Sequence, residues 1–509
     1  MPNQNPLTTA GVDYDVIVVG AGNAGLTAAA SFARSGVKTL LLERHNIPGG
    51  CATSFARGRY EFEVSLHQLS GVGTEDQPGP LRQMFGQLGI LDKISLHGES
   101  SIYRAVIDGA LDVSIPADWE EAQNVLCVEF PEEREGIRRF FKLMDTMTIE
   151  SFGVSKLLHS EEGIRAAYQQ FPTFMKYGLT SAEKVLNEHF RSPELKYALT
   201  VYWGYLGVPL HDTSFQDLAM TLWAYIKTKP YYIEGGSQAL SNAITDSFTE
   251  AGGEIRFNCQ VEQILVKDGQ AYGVRTEHGE EITAKVVFCN FSPITSYSTL
   301  IEPEQVPQDA IKDLSSRTAG VSATTLYMGL DCEPEDIGIT QATTMIGANA
   351  DVDEQYRRAK TLEPAGYVGF TCYNFADPTA APKGGANASL IALQYADPWL
   401  KLSPRDYAKE KYRYADSMLK LLEKTYPQIR GHIEEAEVAT PLTAMRYLNT
   451  PRGSIYGFDM KLTEHRLVRE NENHIQGLYH AGTWTTTQGY QPTLQAGCTM
   501  ARRILRTFA

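Results

Sequence analysis

The sequence has little that would suit a nucleic-acid surface, a disulfide framework or a membrane span. Its 46 Lys and Arg residues face 61 Asp and Glu residues, and the formal net charge of -15 disfavours binding to nucleic acid. Its seven cysteines include no C-x-x-C pair, which argues against disulfides and a thiolate metal site and suits a reducing compartment. No run approaches about eighteen apolar residues, which excludes an ordinary transmembrane helix.

Other signals of targeting and of metal chemistry are also missing. Residues 1–13 have neither a basic nor an apolar signal region, so we expect a cytoplasmic protein. No H-E-x-x-H, Ser/His/Asp arrangement or acid-rich loop is visible, so we expect no metal site and no hydrolytic mechanism. What remains is a globular composition, 43% hydrophobic and 21% charged, and a length of 509 residues that predicts two or three domains.

The beginning of the chain carries a dinucleotide fingerprint. Residues 15–19 (DVIVV) form an apolar run typical of a buried parallel strand, and G-x-G-x-x-G follows at 20–25. A small-residue helical run comes next, and a second apolar run at 38–43 ends in an acid. A strand, three spaced glycines, a helix, a strand and an acid in this order predict a nucleotide site, whereas glycines alone would equally fit a turn without a ligand.

Each residue of the fingerprint has a separate physical task. Gly20 permits the tight turn, Gly22 lets the backbone approach the pyrophosphate, and Gly25 lets the helix pack closely on the sheet. Glu43 can accept hydrogen bonds from ribose hydroxyls, and an acid at this position disfavours a 2′-phosphate. The expected cofactor is therefore FAD or NAD.

The next segment resembles one group of flavoproteins. Residues 48–54 (PGGCATS) add a second glycine pair, and residues 55–71 (FARGRYEFEVSLHQLSG) follow. This pattern resembles the group that contains amine oxidases, phytoene desaturases, carotenoid cis–trans isomerases and retinol saturases, and it is closest to the desaturase, isomerase and saturase branch. The likeness recurs at 231–243, 285–293 and 477–497.

The resemblance implies an α/β fold with two domains. The first is a Rossmann-type FAD-binding domain that is discontinuous in sequence, at 1–95, 228–300 and 450–509. The second is an α+β substrate-binding domain of mixed sheet and helices with a helical lid, at 96–227 and 301–449. From its pattern we expect the part up to residue 224 to be mostly helical.

The resemblance also implies the contacts of a noncovalently bound FAD. A helix beginning near Thr493 would point its positive end at the flavin ring. The implied cofactor-binding residues are Gly20, Gly22, Asn23, Ala24, Gly25, Glu43, Arg44, Gly49, Gly50, Cys51, Ala52, Thr53, Val261, Gly482, Thr483, Gln491, Pro492 and Thr493.

The implied function is an FAD-dependent oxidoreductase that acts on carbon–carbon bonds. Desaturation, saturation and cis–trans isomerisation of an apolar polyene, isoprenoid-like or unsaturated acyl substrate all fit. The loop 485–491 is more polar than the desaturase pattern, which disfavours an unfunctionalised carotenoid. A flavin amine oxidase and a non-catalytic escort protein for prenyl or lipid groups are the alternatives.

The acid or base of the reaction is less evident from the sequence. His67 has an ordinary pKa that suits proton transfer at neutral pH, and Tyr490 and Gln491 are candidate donors near the flavin. The rival polar groups are Tyr456, Arg446 and Glu63. The electron partner and the oligomeric state stay open. Segment 137–179, where aromatic and basic residues adjoin, fits either a helix that contacts a membrane surface or a core-facing helix with solvated cations.

Overall fold

The computed structural model describes residues 11–154, 157–158, 160–464, 473–485 and 488–508. The strands are β1 Tyr14–Val19, β2 Thr39–Leu42, β3 Ser54–Arg57, β4 Tyr60–Glu63, β5 Leu96–Gly98, β6 Ser101–Ile107, β7 Leu111–Pro116, β8 Tyr231–Ile233, β9 Glu254–Arg256, β10 Val261–Lys267, β11 Gln270–Thr276, β12 Glu281–Cys289, β13 Ser322–Leu330, β14 Thr343–Gly347, β15 Tyr367–Cys372, β16 Ala386–Gln394, β17 Ile433–Ala439 and β18 Leu478–His480. The α-helices are α1 Asn23–Arg34, α2 Pro80–Gln87, α3 Trp119–Glu129, α4 Arg134–Val154, α5 Glu161–Gln170, α6 Pro172–Tyr177, α7 Ala182–His189, α8 Pro193–Thr200, α9 Trp203–Leu206, α10 Phe215–Thr228, α11 Gly236–Glu250, α12 Pro293–Thr295, α13 Gln308–Ser315, α14 Val352–Ala359, α15 Asp397–Leu400, α16 Pro404–Leu422, α17 Pro441–Leu448 and α18 Tyr490–Phe508.

The first sheet has β1 at its centre and brings the nucleotide fingerprint together. Its order is β10-β11-β12-β1-β2-β9, and β18 also pairs with β12. β1 is parallel to both β2 and β12, with Val16 opposite Thr39 and Val286. Val16 and Val18 are fully buried, which explains why this strand reads as a continuous apolar run. The α/β fold and the parallel start of the sheet agree with the sequence.

α1 is held between this sheet and the C-terminal helix α18. Gly497 of α18 lies so close to α1 that an added Cβ would be 2.1 Å from the Ala24 carbonyl oxygen. A larger residue at 497 would push α18 away, because there is no space between the two backbones. Helix α1, near the start of the chain, and helix α18, near its end, therefore pack directly against each other.

The second sheet is mixed and has the order β17-β13-β16-β15-β14-β6-β7. The expectation of a mostly helical segment from 96 is wrong for β5, β6 and β7, since helices begin only at Trp119. In β7, Leu111, Val113 and Ile115 are buried and the residues between them are not. This alternation has the period of two that a half-buried strand shows.

The long helix α4 turns its aromatic pair towards the core. Phe140 and Phe141 are buried, while Arg138 and Arg139 on the other face are exposed. The core-facing alternative therefore describes this part of the 137–179 segment, and membrane contact stays a prediction. Among the described residues, no helix is both long enough and apolar enough to cross a membrane.

Candidate functional site

A large cavity is lined by residues of both sheets and of the helical segment. Its volume is about 2040 Å³, and small-ligand pockets usually span about 300–1,000 Å³. Gly20 at the end of β1, Thr325 on β13 and Tyr225 on α10 all contribute to its wall. The volume of the cavity is therefore large enough for a dinucleotide and a second molecule together.

Two glycine turns form one end of this cavity. The backbone N–H of Gly49 donates to the carbonyl of Ala21, so the second glycine pair lies against the first turn. Gly20, Gly49 and Gly50 have φ values of +96°, +125° and +63°, which favour glycine. The two turns that the sequence predicts separately thus form a single cradle.

Gly25 differs from the other glycines of the fingerprint because it does not line the cavity. A Cβ at Gly25 would lie 1.9 Å from the carbonyl oxygen of Gly20. The residue lets α1 approach the turn, which is the packing role that the sequence assigns to it.

Asn290 contacts the glycine turn, and it is a residue that the sequence alone did not point to. Its backbone N–H donates to Val19, and its Nδ2 donates to the Ala481 carbonyl at 3.0 Å. Its side chain lies against Gly22, where a Cβ would be 2.6 Å from Oδ1. The sequence feature that could have indicated Asn290 is its position. It directly follows the apolar run of β12, as Gly20 directly follows that of β1.

Glu43 is buried, with 7% of its surface exposed, at the end of β2. Its carboxylate accepts hydrogen bonds from the backbone N–H of Ala21 at 2.7 Å and of His45 at 2.9 Å. Arg44 and the ring of His45 both contact the Tyr447 carbonyl oxygen. Glu43 therefore fixes the glycine turn in addition to facing the cavity.

Replacing Glu43 by alanine should weaken FAD binding roughly tenfold or more without changing the product of the reaction. The variant loses a charged acceptor of two buried N–H groups as well as the expected ribose contact. Titration of the apoprotein with FAD measures the effect. Glu280→Ala, which removes an exposed carboxylate paired with Arg256, is the matched control. An unchanged FAD affinity in Glu43→Ala would assign the ribose to another group.

Several polar atoms at this end are suited to a ligand with many hydrogen-bonding groups. Asn23 Oδ1, Thr483 Oγ1 and Gln488 Oε1 are buried and have no hydrogen-bond partner among the described residues. All three residues line the cavity. Buried polar atoms without partners cost free energy, so Asn23, in the first turn of α1, and Thr483, beside Gly482, fit a bound dinucleotide. Gln488 lies elsewhere in the cavity wall, since its Nε2 donates to the Leu206 carbonyl of α9.

Nearly all the cofactor-binding residues expected from the sequence face this cavity. The expected residues that line it are Gly20, Gly22, Asn23, Ala24, Glu43, Arg44, Gly49, Gly50, Cys51, Ala52, Thr53, Val261, Gly482, Thr483, Gln491, Pro492 and Thr493. The helix expected to begin near Thr493 begins instead at Tyr490, because a proline is tolerated in the first turn, where its missing N–H is no loss. Thr486 and Thr487 lie outside the described residues.

Two of the expected catalytic residues, Tyr490 and Gln491, are the first two residues of α18, and both line the cavity. Gln491 Oε1 accepts a hydrogen bond from Ser70 Oγ at 2.7 Å. The Tyr490 hydroxyl lies near Ser237 and Asn23 but has no hydrogen-bond partner among the described residues. Burial raises the pKa of Tyr490, so its hydroxyl stays protonated and can donate.

His67 lines the cavity, but its charge differs from the expectation. Burial lowers the pKa of His67 to about 4, so the imidazole is neutral near pH 7 and the expected titration near neutrality is wrong. Its Nδ1 lies 3.3 Å from both the Thr371 and Tyr373 hydroxyls. A neutral ring can donate one hydrogen bond and accept another, but it cannot offer a positive charge.

The other polar candidates for the acid or base differ in whether they line the cavity. Tyr456 and Arg446 line the cavity, whereas Glu63 does not. The Glu63 carboxylate accepts from the backbone N–H groups of Ser65, Leu66 and Ser237 and from the Ser237 hydroxyl. Glu63 is thus scaffold that ties β4 to the first turn of α11.

Gln68 and Glu99 form a hydrogen-bonded pair of buried polar residues, which the sequence alone did not point to. Gln68 is 4% exposed and lines the cavity, and its Nε2 donates to Glu99 Oε2 at 3.0 Å. The other oxygen of Glu99 is buried without a partner among the described residues. Burial raises the pKa of Glu99 to about 8, so this acid is neutral near pH 7.

Replacing Glu99 by glutamine should remove a loss of stability that develops between about pH 4.5 and pH 8. The unfolded chain ionises this group near pH 4.5 and the folded protein near pH 8, so the unfolded state binds fewer protons between these values. The stabilisation is full below the unfolded pKa and is lost as the pH rises through the folded pKa. The titratable groups facing the carboxyl are Tyr202, Tyr205 and Tyr225.

Thermal unfolding of Glu99→Gln and wild type across this pH range measures the effect. We expect the Tm of the variant to rise relative to wild type up to about pH 8 and then to keep a constant difference. Glu234→Gln, whose carboxylate is half exposed, is the matched control. A Tm difference that does not depend on pH would show that Glu99 is ionised in the folded protein.

Comparison with known proteins identifies a family of flavoproteins, in agreement with the glycine cradle of the cavity. The family model described as flavin containing amine oxidoreductase matches residues 23–505. The chain is 25% identical over 489 residues to the chloroplastic prolycopene isomerase of Daucus carota, which covers 92% of this chain and 76% of the isomerase. It is also 25% identical over 529 residues to the all-trans-retinol 13,14-reductase of Danio rerio, covering 97% and 86%. Among solved structures, an oxidoreductase from Methanosarcina mazei shares the fold with a TM-score of 0.67 at 14% identity, covering 97% of this chain and 100% of that protein.

Proposed function

This chain belongs to the family of flavin-containing amine oxidoreductases, and from that premise we propose that it binds FAD without a covalent bond. We propose further that it acts on a carbon–carbon double or single bond of an apolar polyene or isoprenoid-like molecule. The relatives named as a prolycopene isomerase and an all-trans-retinol 13,14-reductase support this substrate class. The observation that carries the proposal is a cavity whose wall includes both the glycine cradle and a group of large aromatic side chains.

The aromatic chamber is the part of the cavity wall that large aromatic side chains form. It is defined by Tyr205, Trp223, Tyr225, Tyr367 and Tyr456, which all line the cavity. Large rings bury much apolar surface, and a flat conjugated molecule gains both area and ring contacts among them. Such a wall suits an apolar conjugated substrate.

A bound flavin would supply the exchange of an electron pair, and the chain's own residues would orient the substrate and exclude water. His67, Ser70 and Gln491 all line the cavity, and Ser70 bonds to Gln491. Tyr490 lines it as well, and its hydroxyl is a neutral donor. These groups can hold a proton or stabilise developing negative charge on a substrate.

Two cavity-lining thiols support noncovalent binding. Burial raises the pKa of Cys51 to about 11, and it also raises the pKa of Cys259. The thiolate is the reactive form of cysteine, so these protonated thiols are poor partners for a covalent bond to a flavin. Denaturation in acid should release all of the flavin into the supernatant, and colour that stays with the precipitated protein would contradict this part of the proposal.

The reaction is tested by giving the purified protein a panel of polyenes, enones and amines under anaerobic conditions. The protein is used both as purified and after photoreduction. A product two mass units heavier shows saturation, one two units lighter shows desaturation, and an unchanged mass with a new retention time shows isomerisation. Conversion of amines alone would favour the amine oxidase alternative, and protein that holds no flavin would favour an escort protein.

A further inference from the structure

Asp331, Cys332 and His432 form a cluster of three different metal-binding side chains. One donor atom from each residue, namely a carboxylate oxygen, the thiol sulfur and a ring nitrogen, lies within 4.8 Å of the other two. Asp331 and Cys332 directly follow β13, and His432 directly precedes β17. None of the three residues lines the cavity, so the proposed reaction makes no use of this cluster.

The pairing of β13 with β17 brings the three residues together. Leu330 at the end of β13 lies opposite Ile433, and the backbone N–H of Asp331 donates to the His432 carbonyl at 3.0 Å. Asp331 and His432 are 101 residues apart in the sequence. The expectation of no metal site was based on ligand spacing along the chain, and it does not reach ligands that a sheet assembles.

The thiol of Cys332 is the donor that points to a ligand. The residue is only 7% exposed, its cysteine is free, and no hydrogen bond holds the sulfur among the described residues. Burial raises the pKa of this thiol, and the carboxylates of Asp331, Asp336 and Glu333 raise it further. The charge around the sulfur is therefore negative, which opposes a free thiolate and favours a bound cation.

Asp331 and His432 are already close to a coordinating arrangement. Nδ1 of His432 and Oδ1 of Asp331 are 2.9 Å apart, and the two side chains are 36% and 53% exposed. In a tetrahedral zinc site, metal–ligand distances of about 2.0–2.3 Å place the ligand atoms about 3.3–3.8 Å from one another. Side-chain movements of about 1 Å therefore bring the three donors to that spacing, and the exposed side gives the ion a way in.

We infer that Asp331, Cys332 and His432 bind one zinc ion, which joins the end of β13 to the start of β17. Thiolate and imidazole are ligands that zinc prefers, whereas calcium and magnesium take oxygen ligands. The exposed side of the cluster leaves the fourth position to a water molecule. Binding displaces the thiol proton into solvent, so that a thiolate holds the ion.

The ion would stabilise a strand that forms part of the cavity wall. β17 is the last strand of the second sheet, where it pairs with β13. Glu437, Val438 and Ala439 of β17 line the cavity. A ligand that binds the folded chain in preference to the unfolded chain raises Tm. The role of the ion is therefore structural, and the inference does not rest on the proposed function.

The test measures zinc binding by the purified protein after dialysis against a chelator. Competition with a chromophoric chelator gives the dissociation constant, and X-ray absorption at the zinc edge identifies the ligand atoms. The variants are Cys332→Ser and His432→Ala. Cys127→Ser is the control for the thiol, because Cys127 is also 7% exposed. His211→Ala is the control for the imidazole, because Nδ1 of His211 also contacts an aspartate, Asp353, at 3.2 Å.

We expect wild type to bind one zinc ion per chain, with one sulfur ligand at about 2.3 Å. Cys332→Ser and His432→Ala should each weaken binding by at least roughly 100-fold, since even the loss of a group that only orients a ligand typically has a 10–100-fold effect. Both variants should also lose the rise in Tm that zinc gives to wild type. Cys127→Ser and His211→Ala should keep the wild-type affinity.

Flavin content and Tm without zinc verify that each variant is folded. His432 is partly exposed, so His432→Ala tests the site even if Cys332→Ser does not fold. Wild type that binds no zinc, a zinc shell without sulfur, or an unchanged affinity in His432→Ala would overturn the inference.

Discussion

Gly22→Val should purify as a colourless protein without bound flavin. Gly22 precedes α1 with φ -77° and ψ 179°, a conformation that any residue adopts, so valine strains no backbone dihedral there. Its side chain instead would meet Asn290 Oδ1, 2.6 Å from the new Cβ, and would occupy the cradle beside Gly49. The loss is therefore steric and lies at the expected pyrophosphate position.

The absorbance spectrum and the flavin-to-protein ratio measure this effect. Gly86→Val is the matched control, because Gly86 lies on the exposed side of α2 and a Cβ there would make only ordinary contact with Leu91. The control should retain full flavin, and its Tm should not fall, since valine is a better helix former than glycine. A full complement of FAD in Gly22→Val would show that the cradle does not hold the pyrophosphate.

Tyr490→Phe and Gln491→Ala should each lower turnover by about 100–1000-fold while flavin content stays intact. Removing one preorganised donor from a site of developing negative charge typically has an effect of this size. The Tyr490 hydroxyl is a protonated donor without a protein partner among the described residues. Gln491 is oriented by Ser70, so truncating it removes both its amide and that bond. Turnover is measured on whichever compound the substrate panel identifies.

His67→Ala should lower turnover without removing an ionisation between about pH 5 and pH 9, because the pKa of His67 is about 4 in the folded protein. Tyr412→Phe, an exposed residue of α16, is the control for all three variants and should keep wild-type turnover. Wild-type rates in Tyr490→Phe and Gln491→Ala would show that these residues are not catalytic, and the reacting groups would then be sought in the aromatic chamber. A limb of the pH profile near neutrality that vanishes in His67→Ala would show that the imidazole is charged during the reaction.

The nucleotide end of the site was predictable because its signals are local in sequence. The apolar run before Gly20 indicates a strand buried on both faces, and the glycine spacing allows a turn that few other residues permit. Glu43 follows its own apolar run, so the end of β2 was also readable. The expectation of a mostly helical segment holds from Trp119 onward but not before it, where β6 shows no alternation of burial and only β7 has the period of two.

The aromatic chamber and its charges depended on contacts between distant parts of the chain. Gln68 meets Glu99 and Tyr202 through hydrogen bonds that span 31 and 134 residues. The pKa values of His67 and Glu99 are set by how much water the surrounding elements exclude, which neither residue type nor spacing reveals. The sequence by itself determined a nucleotide cradle and its acid, because backbone turns and the burial of a strand depend on residues that are neighbours in sequence. Only the tertiary structure decided which polar groups are buried without a partner among the described residues, because this depends on the groups that other elements bring near a hydroxyl such as that of Tyr490.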